Sequence, residues 1–408
     1  MLKTIIFLFI TSLTFTHPAL AQQSTWEAPY VGSSKDVLYL PDANAVYWRY
    51  GWKREDTANQ DGYIIQGQFP QARYFSFNVY DDNTKSSVGS VTDYAIKPDA
   101  NDATRYTLHI VPKGSPVKGA NVLYFPKELS GVSIILRHYL AQDTIFGNKP
   151  LPEISKLSAG SVSPAPASLP VPKVSKEDIK KYVLPWVQGI LSGRTEGALE
   201  LQTAGERLTI EQLICKQVVA NAFHYNRNDS VLHAYNFDTG GTYPNLDNHY
   251  LTMPVTRNKD NALLIKFKAP VYAQSAANNA SADVRYFSVS QGDDITRNYA
   301  TLADKDLQVQ PDGFVYLLIA NDNANTRAKA QALGINFMPW LVGDKMLLVY
   351  RNMMPRAGYT KGVNAVPKFD KTKNEALQRG EKFIGEYAPV GKAIAADALM
   401  SMEKIPKL

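Results

Sequence analysis

The chain has 408 residues, a formal net charge of +6, an apolar content of 45% and a single cysteine, Cys215. This length is typical of two domains, and one cysteine excludes an internal disulfide bond. The positive charges are dispersed, so the sequence lacks the basic stripe of a nucleic-acid-binding protein, and the excess of charge favours anionic partners instead.

The first residues have the pattern of a secretory signal peptide. Lys3 precedes an apolar run over residues 5–15, and Ala19-Leu20-Ala21 has the small-residue spacing of a cleavage site. The apolar run is too short to cross a bilayer of about 30 Å. We therefore predict that residues 1–21 are removed and that the remaining 408 − 21 = 387 residues are periplasmic or secreted, without stable membrane insertion.

Short β-rich segments occupy the first half of the remaining chain. Each is rich in β-branched or aromatic residues and is bounded by Gly, Pro, Asn or Asp; they lie at 45–52, 63–69, 73–80, 94–97, 106–111, 122–125 and 132–139. Strands at this spacing, without helices between them, indicate an antiparallel sandwich or barrel. We predict a first β-sandwich over residues 22–156.

The middle of the chain changes in composition. Residues 157–174 are rich in Pro, Ser and Ala, which predicts an extended linker. Two helices are predicted after it, one capped by Ser175 and one that starts at Thr209, with Gln212 at the capping-box position.

The second half returns to β-rich segments, at 263–267, 284–289, 314–320 and 345–351. Residues 371–402 have a helical pattern, broken at Pro389. We predict that residues 175–408 form a second β-sandwich with leading helices and a C-terminal helical tail.

An internal repeat relates the two halves. Arg73-Tyr74-Phe75-Ser76 recurs as Arg285-Tyr286-Phe287-Ser288, at an offset of 285 − 73 = 212. The offset drifts slowly along the chain, with Asp93 matched to Asp306 and Arg137 matched to Arg351. Such a drift is typical of a duplication with small loop insertions, and it predicts two β-sandwiches made from copies of one unit.

Two stretches carry a resemblance to a known family. Residues 67–77 with 134–139, and residues 336–340 with 347–351, resemble an exported bacterial domain-of-unknown-function family of the 1214/1254 type. The resemblance covers residues 62–154 and 261–369, and it implies paired jelly-roll β-sandwiches but no particular reaction. The second copy lacks the Phe-Pro-Gln-Ala lead-in that precedes Arg73.

The recurring arginines are predicted to be structural. Arg73 shares a strand face with apolar side chains, and a buried guanidinium needs a partner. Asp93 and Asp306 recur in step with the arginines, so they are the predicted partners of Arg73 and Arg285. The same structural role is predicted for two further arginines without a predicted partner, Arg137 and Arg351.

Candidate catalytic groups are few. Asp81 and Asp82 follow the first signature strand, and a glycosidase needs two carboxylates across a cleft, although acidic pairs are also common in turns. His138 is a candidate acid or base, and further histidines lie near acidic residues before the second copy, at positions 224, 233 and 249. The sequence has no zinc-ligand spacing, calcium loop, nucleophile elbow, phosphate loop or dinucleotide fingerprint, so we predict no metal site and no cofactor.

An aromatic row is the candidate ligand-binding surface. Trp48, Tyr50 and Trp52 share one face of a strand, where their rings could stack on sugars. The alternative is core packing, which is favoured because large aromatic side chains are usually buried.

These observations support three hypotheses for the function. The first is binding of a polysaccharide or another envelope polymer, by aromatic and basic residues in the groove between the sandwiches. The second is a glycan-acting hydrolase or lyase that uses the loop carboxylates and His138. The third is a structural or partner-binding protein of the envelope.

Overall fold

The computed structural model describes residues 25–34, 37–53, 62–142, 144–158, 161–169, 180, 209–226, 230–237, 243–257, 261–274 and 281–406. Within these ranges the protein is mainly β, which confirms the predicted fold class. The strands form two β-sandwiches, each with its own buried core between two sheets. The predicted signal peptide and the predicted helix at Ser175 lie outside the described residues.

The first sandwich contains strands β1 to β10. Their bounds are β1 (Tyr30–Val31), β2 (Ala45–Lys53), β3 (Gly62–Gln68), β4 (Ala72–Asp81), β5 (Ser87–Thr92), β6 (Arg105–Pro112), β7 (Val122–Phe125), β8 (Gly131–Ala141), β9 (Glu153–Ser158) and β10 (Ser161–Pro164). One sheet has the order β1-β2-β8-β4-β5, and the other has the order β10-β9-β3-β6-β7. Neighbouring strands are antiparallel except for β6 and β7, which are parallel.

The second sandwich contains strands β11 to β19. Their bounds are β11 (Leu232–His233), β12 (Asn248–Thr256), β13 (Asn261–Lys268), β14 (Tyr286–Gly292), β15 (Asn298–Ala303), β16 (Phe314–Ala320), β17 (Asn336–Pro339), β18 (Lys345–Met353) and β19 (Val390–Ala395). The sheets have the orders β11-β19-β13-β16-β17 and β12-β18-β14-β15.

Short helices accompany the second sandwich. The α-helices are α1 (Ile210–Ala220), α2 (Ala324–Ala332), α3 (Glu381–Ile384) and α4 (Ala396–Ser401), and the 3-10 turns span Asn221–His224, Asp304–Asp306, Val363–Ala365, Glu375–Leu377 and Gly385–Tyr387. The predicted capping box starts α1, because Gln212 N donates to Thr209 Oγ1 at 3.2 Å and Thr209 N donates to Gln212 Oε1 at 2.9 Å.

The two sandwiches share one strand order. The order β2-β8-β4-β5 corresponds to β12-β18-β14-β15, and β9-β3-β6-β7 corresponds to β19-β13-β16-β17, including the parallel edge pair in each. The register also agrees, since Phe75 pairs with His138 where Phe287 pairs with Asn352. This repetition is what an internal duplication predicts. The jelly-roll assignment is not supported, because the parallel edge pair departs from the all-antiparallel architecture of a jelly roll.

The predicted linker differs from the structure in its first part. Strand β10 pairs antiparallel with β9, and Leu169 N donates to Gly51 O at 2.8 Å, so residues 161–164 and Leu169 contact the first sandwich. A proline-rich segment can serve as an edge strand, because one row of its backbone groups needs no partner.

The predicted C-terminal helical tail is wrong in its central part. After Pro389 the chain forms strand β19, which pairs antiparallel with β13, before the short helix α4. The buried residues of β19, Gly391 and Ile394, fit a strand that covers the edge of β13, where backbone groups would otherwise lack partners.

Candidate functional site at the junction of the sandwiches

The two sandwiches meet along the faces of β4, β8, β14 and β18 that point away from their own cores. Side chains from both form one buried cluster of Ala45, Tyr74, Tyr139, Tyr286, Ala303 and Met353. The rings of Tyr139 and Tyr286 meet edge to face across the junction, with centroids 5.7 Å apart. Such aromatic contacts stabilise an interface beyond the area that they bury.

The arginines of the repeated tetrapeptide form ion pairs across the junction. Arg285 Nη2 lies 2.5 Å from Asp93 Oδ2, and Arg73 pairs in the same way with Asp304. Asp93 and Asp304 are equivalent, because each follows the residue that pairs with the serine of the repeated tetrapeptide. Each copy therefore supplies an arginine to the other copy's carboxylate.

The predicted pairs within each copy, Arg73 with Asp93 and Arg285 with Asp306, are wrong. Asp306 instead lies at the surface beside Lys305 and accepts a hydrogen bond from Ala303 N. A repeated motif predicts which residues recur, but a pair inside one copy and a pair between copies leave the same pattern in the sequence.

The segments before β2 and before β12 also contact the opposite sandwich. Asp42, three residues before β2, accepts hydrogen bonds from Tyr286 and Ser288, each at 2.8 Å, and pairs with Arg351. Asn245, three residues before β12, accepts one from Tyr74 at 3.2 Å. Each leading segment thus binds the sheet of the opposite sandwich.

The two arginines that end the apolar strands are both buried, as predicted, but their partners differ. Arg351 has the carboxylate of Asp42, whereas Arg137 donates from Nη2 to Tyr243 O at 2.8 Å. Among the described residues, Arg137 Nη1 has no hydrogen-bond acceptor. The carboxylate before β12 is Asp247, two residues after the position that corresponds to Asp42. It accepts a hydrogen bond from the Tyr74 hydroxyl group at 2.7 Å.

A surface cleft of about 390 Å³ opens beside Asp247 at the junction. Tyr94 and Leu246 are 62% and 53% exposed, so a molecule in the cleft can contact an aromatic ring and an aliphatic side chain. The lining residues are Tyr94, Leu246, Asp247, His249, Ala282, Met354, Pro355, Arg356 and Ala357.

Burial shifts the pKa values of two groups of the cleft, Asp247 and His249, toward the uncharged form. Burial raises the pKa of Asp247, with the hydrogen bond from Tyr74 opposing the rise, and burial lowers the pKa of His249, with Asp247 opposing the fall. A carboxyl group beside a neutral imidazole can hydrogen-bond hydroxyl groups or exchange a proton with them. Arg356 adds a half-exposed cation whose Nη2 lies 3.6 Å from Asp283 Oδ1.

The cleft side chains differ between the copies although the scaffold recurs. The strand register matches Val46 to His249, and counting on from the strand ends matches Lys305 to Tyr94, Asn44 to Asp247 and Gln142 to Arg356. A position that differs between two sandwiches of the same strand order is a better candidate for function than one that supports the scaffold of both. The sequence pattern missed this cleft, because its residues come from separate segments that only the register aligns.

The predicted catalytic candidates do not meet in the cleft. Asp81 caps a turn, where it accepts hydrogen bonds from Asn83 N at 2.9 Å and Thr84 Oγ1 at 2.8 Å. Asp82 accepts from Ser133, and burial raises its pKa. The alternative reading of these acidic residues as turn chemistry therefore fits the structure.

His138 is a core histidine. It is 4% exposed, its ring centroid lies 4.9 Å from that of Trp48, and its Nδ1 lies 3.3 Å from Ile145 O. Burial lowers its pKa to about 4, so the imidazole is neutral near pH 7. Because the ring lies in the core, it is also out of reach of a ligand in the cleft.

His138 is expected to make stability depend on pH. Its pKa is lower in the folded chain than the usual value near 6.5, so the unfolded chain binds the proton first and stability falls as the pH decreases from about 6.5 to 4. The expected loss is about 3 kcal/mol relative to His138→Phe, which keeps an aromatic ring without a titrating group. Urea unfolding of both proteins at pH 7 and pH 4 measures it; a difference in stability that stays constant with pH would contradict this assignment.

The aromatic row is part of the core and not a binding surface. Trp48, Tyr50 and Trp52 are between 0% and 5% exposed, and the Trp52 ring packs on Tyr63 of the facing sheet at a centroid distance of 4.3 Å. Core packing, the alternative reading of this row, is what the structure shows.

Neither a metal cluster nor a membrane-spanning helix is found in the described part of the chain. No group of three or more His, Cys, Asp or Glu side chains there could hold a metal ion. No helix there is both long and apolar enough to cross a bilayer.

Comparisons with known proteins give a fold and no function. Neither a protein-family model nor a curated protein matches the chain. A crystal structure of an uncharacterised protein from Burkholderia cenocepacia is similar, with a TM-score of 0.52, 10% identity, and coverage of 92% of this chain and 83% of that one. The VPA0106 protein from Vibrio parahaemolyticus has a TM-score of 0.41 and 15% identity, with coverage of 86% and 89%. The first likeness concerns the fold alone.

Proposed function

We propose that this protein binds a polysaccharide or another polymer of the cell envelope in the cleft between its two sandwiches. The observation that carries the proposal is the exposure of Tyr94 and Leu246 at the mouth of a concave site. Ligand sites are typically concave and mostly apolar, with a few polar groups that fix the orientation of the ligand. An exposed tyrosine ring can stack on the C–H face of a sugar and keep its hydroxyl group in water.

The polar side of the cleft suits a hydroxyl-rich ligand. Asp247 and His249 offer one carboxyl and one imidazole within a partly buried site, and Arg356 adds a cation at the rim. Hydrogen bonds to groups that are already partly desolvated supply specificity, because a wrong ligand leaves them unpaired.

A second candidate function is favoured by the same pair of groups. A carboxyl with a raised pKa beside a neutral histidine can act as acid and base on a glycosidic bond. In that case the protein is a hydrolase or lyase that uses Asp247 and His249, in place of the loop carboxylates Asp81 and Asp82.

We also propose that the protein belongs to the exported family of unknown function with paired sandwiches. In this proposal a cleaved signal peptide exports it to the periplasm or the outside, where envelope polymers are found. Edman sequencing of the protein secreted by its own host tests the export, since a mature chain that begins at Gln22 is expected.

Replacement of Tyr94 by alanine is expected to weaken glycan binding about tenfold, because a stacked ring is lost while the exposed position leaves stability unchanged. The measurement is binding to an array of bacterial envelope oligosaccharides, followed by calorimetry on the glycans retained. Tyr30→Ala removes a comparably exposed tyrosine away from the cleft and is the matched control.

The same samples separate binding from catalysis. Retention of glycans without new reducing ends supports the binding function, and release of reducing ends that Asp247→Asn abolishes supports the enzyme. Asparagine keeps an acceptor for Tyr74, so the variant retains the local hydrogen bond. Equal glycan binding by the Tyr94→Ala and Tyr30→Ala variants would contradict a site in the cleft.

A further inference from the structure

The outer face of the five-stranded sheet in the second sandwich carries a group of lysines. Side chains alternate along a strand, so Lys266 and Lys268 continue the face of β13 on which Leu264 packs against helices α2 and α4. Lys392 of β19 lies opposite Leu264 on the same face. We call Lys266, Lys268 and Lys392 the lysine face.

Aromatic rings hold two of these ammonium groups above the sheet. The Nζ atom of Lys266 lies 4.1 Å from the ring centroid of Phe314 and 5.8 Å from that of Tyr316, and Lys268 Nζ lies 5.7 Å from that of Tyr387. Cation–π contacts at these distances restrict the lysine side chains. Binding to such pre-positioned charges costs less side-chain entropy than binding to mobile ones.

Within the described ranges, none of the three lysines of the lysine face forms an ion pair. Two carboxylates lie near it: Asp312 accepts a hydrogen bond from Tyr316 at 2.9 Å, and the charge of Glu386 acts on the same phenol. Lysines two residues apart on a strand are spaced by about 6.6 Å, and diagonal neighbours by about 7–8 Å, so the face presents a compact set of positive charges.

The first sandwich has no such face. The register matches Ile65, which pairs with Leu108, to Ile265, which pairs with Leu317. The residues at the positions of the lysines are therefore Gln66, Gln68 and Ser155, and those at the positions of Phe314 and Tyr316 are Arg105 and Thr107. The lysines and the rings of Phe314 and Tyr316 thus have no counterparts in the first sandwich.

We infer that the lysine face binds an anionic polysaccharide, one that carries carboxylate or sulfate groups along an extended chain. Charge complementarity identifies the chemistry of the ligand, and charges from two adjacent strands suit a polymer with repeated anionic groups. A membrane surface is less suited, because binding in a bilayer interface requires apolar side chains that insert, whereas Phe314 and Tyr316 are half-buried beneath Lys266. This site stands apart from the cleft, on residues that the cleft does not use.

Replacement of the two lysines by the first copy's residues tests the inference. Lys266→Gln with Lys268→Gln is expected to weaken binding of polygalacturonate about tenfold or more, with a reduced dependence of affinity on salt. The control, Lys113→Gln with Lys127→Gln, removes the same net charge from exposed positions of the first sandwich and is expected to change the affinity less than about twofold. Affinity electrophoresis in gels with polygalacturonate or neutral dextran gives the dissociation constants.

Three outcomes would overturn the inference. They are equal weakening in both double variants, which indicates a general effect of net charge; no binding of polygalacturonate by the unaltered protein; and binding of vesicles with anionic lipids in preference to polygalacturonate. The Tyr94→Ala variant is expected to bind polygalacturonate normally, so failure of the cleft and failure of the lysine face remain distinguishable.

Discussion

Replacement of Asp42 by asparagine is expected to lower the free energy of unfolding by about 3–5 kcal/mol, because it leaves a buried guanidinium without its carboxylate. Asp42 and Arg351 are both almost fully buried, and Asp42 also accepts the hydroxyl groups of Tyr286 and Ser288. Urea unfolding monitored by tryptophan fluorescence measures the loss.

The other copy suggests a variant that restores part of this stability. Asn245 and Asp247 hold the amide and the carboxylate in the reverse order to Asp42 and Asn44. The double variant Asp42→Asn with Asn44→Asp reproduces that order, and it is expected to recover about 1–2 kcal/mol through a charged acceptor for Tyr286. Unchanged stability of the single variant would contradict the role given to Asp42.

The ion pair of Arg285 with Asp93 is expected to have the second largest effect. Burial raises the pKa of Asp93 to about 6, with Arg285 opposing the rise, so the carboxylate is mostly ionised at pH 7.5. Asp93→Asn removes that charge from a guanidinium that is 2% exposed. The free energy of unfolding is expected to fall by about 2–4 kcal/mol. This is at the lower end of the range for buried ion pairs, because Asp93 keeps some contact with water.

A matched variant separates this effect from a general loss of negative charge. Asp322 pairs with Arg327 at the surface, where ion pairs contribute little, and Asp322→Asn is expected to unfold at the same urea concentration as the unaltered protein. Equal midpoints for Asp93→Asn and Asp322→Asn would show that the junction does not depend on the Asp93 carboxylate.

The sandwiches could be predicted from the sequence because their strands are short, β-branched and bounded by turn residues. The repeat around Phe75 and Phe287 also predicted that the two sandwiches are equivalent, and both residues fall at the same register position in their sheets. The assignment of β19 to a helix failed because Ile394 and Ala398 fit a helical period, and only the edge of β13 decides between helix and strand.

The junction could not be predicted from the repeat. The aspartate equivalent to Asp93 is Asp304 and not Asp306, because loops of different length shift the offset on either side of a strand. Whether Arg285 pairs within its own copy depends on how the copies are placed, and a one-dimensional pattern carries no information on that placement.

The cleft could not be predicted from the sequence for a related reason. Tyr94, Asp247 and Arg356 lie in three distant segments, and none belongs to a motif with a fixed spacing. The aromatic pattern at Trp48, Tyr50 and Trp52 instead suggested a binding surface in a part of the chain that forms the core. Comparison of the two copies position by position, which the register permits, identifies the residues that changed.

The most direct test of the crossed junction is a double-mutant cycle on Arg285 with each candidate partner. Arg285→Met is combined with Asp93→Asn in one cycle and with Asp306→Asn in the other, and the coupling energies are taken from urea unfolding. The crossed arrangement predicts a coupling of about 2 kcal/mol with Asp93 and less than about 0.5 kcal/mol with Asp306. A larger coupling with Asp306 than with Asp93 would contradict the crossed arrangement and would indicate that Arg285 pairs within its own copy.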